Sequence, residues 1–101
     1  MTRPTLSTDT LAALEAVLQD RHDHPTGSHA SRVVLVGELA QRKVMEEAFE
    51  FCLEVGRAPA ERDEGRVVEE AADVFFHVVA ALVGAGVPLS KVTDELEARR
   101  R

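Results

Sequence analysis

Ala71-Ala72-Asp73-Val74-Phe75-Phe76-His77-Val78-Val79-Ala80-Ala81-Leu82 is a run of twelve residues in which only Asp73 and His77 are not apolar. At about 100° per residue the run reads as a helix apolar nearly all round, which predicts burial on most sides. A carboxylate in such surroundings is costly unless it is protonated, paired or bound to a cation. Glu70 lies three residues before Asp73 and seven before His77, so the three side chains project within roughly 60° of one another. One polar stripe is therefore expected along an otherwise apolar rod.

A second acidic stripe precedes it in the chain. Between Arg42 and Val55, helical spacing places Lys43, Glu46, Glu47, Glu50 and Glu54 within an arc of about 100°. Val44, Met45, Ala48, Phe51, Cys52 and Val55 fall on the opposite arc, which is expected to face inward. A solvated surface helix gives the same pattern. Against that reading, Glu46 with Glu50 and Glu50 with Glu54 are like-charged i,i+4 neighbours, which weaken an isolated helix. If Glu47, Glu50, Glu70 and Asp73 face one another, four negative charges share one pocket, and a multivalent cation makes that tolerable. All-carboxylate sites suit hard ions such as Mg²⁺ or Mn²⁺, whereas zinc favours nitrogen and sulfur donors. A di-iron carboxylate bundle needs Glu-x-x-His on two helices. Here the only histidine on either stripe is His77, four residues after Asp73.

Working outward, the rod is expected to span residues 66–83 and to end at Gly84 and Gly86, with Pro88 opening a short last helix that reaches about residue 98. The acidic stripe belongs to a helix over residues 30–55, closed by Gly56, with Gly37 weakening its first turns. A first helix over residues 10–21 carries Leu11, Leu14, Val17 and Leu18 as its inward stripe and Thr8 or Thr10 as its cap. Val33 to Val36 has strand propensity, but the helical registration of its neighbours overrides it. The expected architecture is all-α, one domain over residues 1–101, built as a small antiparallel four-helix bundle.

The chain's 101 residues are 45% hydrophobic, enough for one core but a thin one. The rod has more apolar circumference than three short helices can cover, which predicts a two-fold dimer. A net charge of −6 argues against nonspecific nucleic-acid binding, which rests on phosphate neutralisation. Arg99, Arg100 and Arg101 read as a solvated helix end beside the C-terminal dipole. Cys52, the single cysteine, is expected to be a buried thiol in a reducing compartment. No segment has eighteen continuous apolar residues, so no membrane span is expected, and the opening residues lack the apolar core of a secretory signal. The expected location is the cytoplasm.

Residues 21–32 gather Arg21, His22, His24, His29 and Arg32 around a Gly27-Ser28 turn that opens a helix. Such a setting favours an anion, although a polar loop that happens to be basic has the same composition.

The string Lys43-Val44-Met45-Glu46-Glu47-Ala48-Phe49-Glu50, followed by Glu70-Ala71-Ala72-Asp73 and His77, resembles the E-E-x-x-E and E-x-x-D signature of MazG-like all-α nucleotide pyrophosphohydrolases. Within that superfamily the chain is most similar to the phosphoribosyl-ATP pyrophosphatase family of histidine biosynthesis. The Asp20-Arg21 pair, the Pro25-x-Gly27-Ser28 turn and the K-V-x-E-E-A element carry the likeness. The resemblance implies a homodimer that hydrolyses phosphoribosyl-ATP to phosphoribosyl-AMP and pyrophosphate with Mg²⁺, for which Mn²⁺ can stand in. It implies Glu47, Glu50, Glu70 and Asp73 as metal ligands and Glu46 as the acid that holds or deprotonates the attacking water. Lys43 and Arg21 would contact phosphates, with Ser28 on the substrate side. For His77 it leaves substrate contact, support of Asp73 and simple packing open. The chain departs from the family where Met45 replaces a usual glycine and where His29-Ala30 replaces an aromatic-Thr pair, changes on the substrate side. A MazG-like hydrolase of another nucleoside triphosphate and a non-catalytic helical dimerisation module are the competing expectations.

Overall fold

Five helices follow one another in the computed structural model, which describes residues 7–35 and 37–100: α1 (Ser7–Asp23), α2 (His29–Leu35), α3 (Leu39–Val55), α4 (Glu64–Ala85) and α5 (Leu89–Ala98). Among the described residues there is no strand, and the all-α expectation holds. Part of the opening segment read against a secretory signal, Val36 of the rejected strand and Arg101 of the basic run lie outside that range.

The helix expected over residues 30–55 is two helices. Gly37 takes a positive φ of 26° between them, a backbone conformation that costs glycine little and other residues more. Apolar residues run through the break in helical register, so hydrophobic periodicity alone does not reveal it. α1 is already helical at Ser7, the first described residue, so Thr8 and Thr10 lie within the helix rather than at its cap.

α4 is the central element. It packs most extensively against α3 and also against α1 and α2. Leu18, Val33, Val34, Val79, Ala80, Val83 and Leu89 form the buried core, flanked by Leu11, Leu14 and Phe76. Val17, expected inside, is 46% exposed. Gly84 permits a close crossing, because a Cβ there would stand 3.1 Å from the Val34 carbonyl oxygen. Asp63 caps the start of α4 by accepting from the Arg66 backbone N–H at 3.3 Å. At the other end Gly86 N–H donates to Val83 O and Val87 N–H to Leu82 O, both at 3.0 Å, the pairing that satisfies the last free carbonyls.

α5 starts after Pro88, as expected, but its cap comes from elsewhere in the chain. Glu15 of α1 accepts the Leu89 N–H at 2.7 Å, doing for α5 what an N-cap side chain ordinarily does. Glu15→Ala is expected to lower stability by about 1 kcal/mol and to loosen α5 first. Thermal melts and amide exchange over residues 89–93 read both effects.

α3 is turned differently from the expectation. Ala40, Lys43, Val44, Glu47, Phe51 and Glu54 are buried or half-buried, while Met45, Phe49, Cys52 and Leu53 are exposed. The side of α3 that meets α4 thus includes part of the acidic arc, and much of the apolar arc points to solvent. Cys52 is accordingly an exposed thiol, not a buried one.

Candidate active site

The acids meet where α3 and α4 cross. Glu47, Glu70 and Asp73 each offer a carboxylate oxygen, and these oxygens lie within 4.8 Å of one another. Glu47 comes from the middle of α3; Glu70 and Asp73, one helical turn apart on α4, face it. Glu50, one turn beyond Glu47, stays outside that close set and is exposed, yet its charge reaches Glu70.

Asp73 is exposed and Glu47 and Glu70 are half-buried, which corrects the expectation that Asp73 is secluded from water. α1, α2 and α3 cover α4 over only part of its circumference, and Asp73 falls on an open flank. Its exposure removes any need to excuse an isolated buried charge. What calls for a cation is the convergence of like charges. Burial first, then the charges of Asp73, Glu47 and Glu50, raise the proton affinity of Glu70 above the usual glutamate range, with Arg66 opposing. An oxygen-only donor set at this spacing fits a hard divalent ion and offers nothing to a thiophilic one.

Lys43 borders the cluster. Its ammonium lies 3.7 Å from Glu47 Oε2 and 3.3 Å from Glu46 Oε1, so it links the cluster to Glu46, which is otherwise exposed.

His77 is buried, at 6% exposure. Its Nδ1 lies 2.8 Å from the Asp73 carbonyl oxygen, which can only accept, so Nδ1 carries a proton. Facing its Nε2 at 3.3 Å is Nε2 of His29, the first residue of α2, so one of these two nitrogens donates and the other accepts. The His29 ring stacks on Phe76 at a centroid distance of 6.3 Å. Burial, followed by the charges of His77, Lys43 and Arg32, holds the His29 pKa below the usual imidazole value. Sequence reasoning places His29 in a basic segment and gives no reason to pair it with His77, 48 positions away.

The Pro25-to-Ser31 turn is built from its own hydroxyls. Ser31, 1% exposed, accepts from Thr26 N–H at 2.8 Å and donates to the Arg21 carbonyl at 3.3 Å. Ser28 Oγ accepts from Thr26 Oγ1 at 2.7 Å and from Ser31 N–H at 3.2 Å, leaving its own hydroxyl proton for an outside acceptor. The Ser28 N–H is spent on Thr26 Oγ1, and α2 is only seven residues long. The anion-binding capacity expected of a helix N-terminus is correspondingly small here. The Arg21 guanidinium pairs with Asp20 at 3.0 Å, and no contact joins it to the acid cluster among the described residues.

Glu54, part of the acidic stripe in the sequence, does something else. Its side chain is 5% exposed and is clasped by Arg57 Nε at 3.0 Å and Arg66 Nε at 3.3 Å. The Arg57 hydrogen bond is the main cause holding its carboxyl below the usual glutamate range, and the Arg57 and Arg66 charges add to it. Because the folded-state pKa is depressed, the clasp stabilises the protein above the unfolded glutamate pKa of about 4.3, and that stabilisation is lost as pH falls through the folded value. Glu54→Gln is therefore expected to lower the Tm by several degrees at neutral pH. The gap between variant and parent should close in acid, as melts from pH 7 downward would register.

The chain as a whole is similar to known proteins. The family described as phosphoribosyl-ATP pyrophosphohydrolase matches residues 11–100. A phosphoribosyl-ATP pyrophosphatase of Methanosphaerula palustris is 42% identical over 100 residues, covering 93% of this chain and 97% of that protein. Proteins of the same name from Methanoculleus marisnigri and Methanoregula boonei are 40% and 44% identical, covering 84% and 87% of this chain and 88% and 85% of their own lengths.

Proposed function

From the premise that this chain belongs to the phosphoribosyl-ATP pyrophosphohydrolase family, we propose that it hydrolyses phosphoribosyl-ATP to phosphoribosyl-AMP and pyrophosphate, as in histidine biosynthesis, with Mg²⁺ as its metal. The observation that carries this reading is the meeting of Glu47, Glu70 and Asp73 oxygens within 4.8 Å at the crossing of α3 and α4. Those three carboxylates, with Glu50 beside them, would hold Mg²⁺ or, in its place, Mn²⁺. When bound, the ion supplies charge neutralisation for the leaving pyrophosphate and orients the reacting groups.

The chain's own residues do the rest. Water attacks the phosphorus nearest the ribose, the anhydride bond beyond that phosphorus breaks, and pyrophosphate leaves. Glu46, held beside the cluster by Lys43, takes the proton of the attacking water. Lys43 and the Ser28 hydroxyl contact phosphate oxygens. Arg21 joins them only after releasing Asp20. His77 supports the Asp73 turn from behind.

Two copies pair through the apolar faces of α3 and α4. Met45 and Phe49 on α3 and Val68, Phe75 and Val78 on α4 are exposed in the single chain, and a second copy is the simplest cover for them. No single helix among the described residues is long and apolar enough to cross a membrane.

Pyrophosphate release from phosphoribosyl-ATP, measured beside a panel of nucleoside triphosphates with Mg²⁺ and with EDTA, tests the reading. Phosphoribosyl-ATP should be strongly preferred and EDTA should abolish turnover. Preference for an ordinary nucleoside triphosphate would reassign the substrate, and no Mg²⁺-dependent hydrolysis of any member would reject the reaction.

A further inference from the structure

We infer that His29 is a positioning residue, a pin that holds the Thr26-to-Ser31 turn against the acid-bearing helix and thereby sets substrate affinity. The inference rests on the function proposed above for the meaning of that affinity, but the pin itself is a matter of geometry.

The turn is internally rigid. Thr26, Ser28 and Ser31 satisfy one another, and Ser31 ties the turn to the end of α1 through the Arg21 carbonyl. These bonds fix the turn's shape and its attachment to α1. They make no polar link to α4, where Glu70 and Asp73 lie. Hydrophobic packing of Ala30, Val33 and Val34 seats α2 on the core, and His29 precedes that packed stretch. At the near end, the polar link across to α4 is the pair His29 Nε2 to His77 Nε2 at 3.3 Å.

The link is anchored at its far end. The His77 Nδ1–H is committed to the Asp73 carbonyl, which as an i−4 backbone acceptor is fixed by α4 itself. His77 thus turns its Nε2 toward the turn, and a hydrogen-bonding side chain at residue 29 completes the chain from turn to acid helix. The path runs from the turn through His29 and His77 to Asp73 of the carboxylate cluster. Ser28, whose hydroxyl proton is free for an outside acceptor, directly precedes the pin. Displacing the pin moves that hydroxyl relative to the carboxylates without touching the carboxylates.

His29→Phe retains a ring to stack on Phe76 and removes the hydrogen-bonding group. His29→Gln removes the ring and restores a polar group of similar reach that can donate or accept. In the full-length chain with saturating Mg²⁺, His29→Phe should raise KM for phosphoribosyl-ATP roughly five- to tenfold, the size of one net hydrogen bond. Its kcat and its half-saturating Mg²⁺ concentration should stay near those of the parent, because the acid cluster is undisturbed. His29→Gln should recover most of the KM. Amide hydrogen exchange without substrate gives an independent reading: faster exchange over residues 26–32 in His29→Phe, parent-like exchange in His29→Gln, and no change over residues 66–77 in either.

Unchanged exchange over residues 26–32 in His29→Phe overturns the pin whether or not the protein hydrolyses phosphoribosyl-ATP. Failure of His29→Gln to restore KM and exchange also overturns it, by assigning the effect to ring packing on Phe76. A parent that turns over no phosphoribosyl-ATP would instead reject the function, leaving the exchange result to decide the pin.

Discussion

Asp73→Asn is expected to cut turnover by at least about a hundredfold while leaving the helical circular dichroism spectrum and the melting temperature close to those of the parent. The size follows from removing one element of preorganised charge stabilisation from a hydrolytic site. The selectivity follows from the structure. Asp73 is exposed, its side chain stabilises no other element, and its backbone carbonyl, which receives the His77 Nδ1–H, is untouched by the substitution. Asparagine even relieves the repulsion that raises the proton affinity of Glu70, so the folded state loses nothing electrostatically. Steady-state pyrophosphate release across a Mg²⁺ titration is the measurement. Parental kcat and parental Mg²⁺ requirement in the Asp73→Asn variant would refute the carboxylate site.

The second large effect concerns assembly. Phe75→Asp is expected to convert a dimer into a monomer at micromolar concentration, seen by size-exclusion chromatography with light scattering. Phe75 is 57% exposed in the single chain and lines an apolar groove with Leu11, Val78, Leu89, Val92 and Leu96. Val78 also lines a second apolar groove, with Val44, Met45 and Leu82. The two grooves therefore join into one face across α3, α4 and α5. Losing a buried phenylalanine forfeits about 1.5–3 kcal/mol, once in each copy at a two-fold contact. Burying a carboxylate in its place adds a desolvation penalty. Together these exceed what a micromolar association can absorb, since each 1.4 kcal/mol is a factor of about ten in Kd. A parent that already runs as a monomer would remove the premise.

Both predictions depend on where α3 and α4 turn their faces, and here the sequence is legible unevenly. Helix positions along the chain are readable because apolar spacing and the Gly56, Gly86 and Pro88 signals are local. The convergence of Glu47, Glu70 and Asp73 is readable because three acids in a fixed helical pattern fall on facing stripes. The rotation of α3 is not. Its apolar arc reads as inward because a monomer has one inside, whereas this helix puts Lys43, Glu47 and Glu54 toward α4 and leaves Met45, Phe49 and Cys52 outside. On the pairing proposed above the chain has two insides, and periodicity does not say which helix serves which. The contacts of Glu15 with Leu89 and of His29 with His77 span 74 and 48 positions and leave no local signature. The Glu54–Arg57 half of the buried clasp has a visible i,i+3 spacing; its Arg66 half does not.

That clasp has a bearing on how the molecule tolerates cutting and rearrangement. Glu54, Arg57 and Arg66 join the base of the α3–α4 connection, while Arg62 reaches back to the Arg57 carbonyl at 2.9 Å. The tip between them, around residues 58–61, is exposed and holds none of the acids of the carboxylate cluster. A protease nick at that tip would leave the two halves joined by the Glu54–Arg66 ion pair, the Arg62–Arg57 hydrogen bond and the α3–α4 contact. The same tip is accordingly the natural place to open the chain for circular permutation, or to graft a foreign peptide without disturbing the chemistry on the far side of the hairpin.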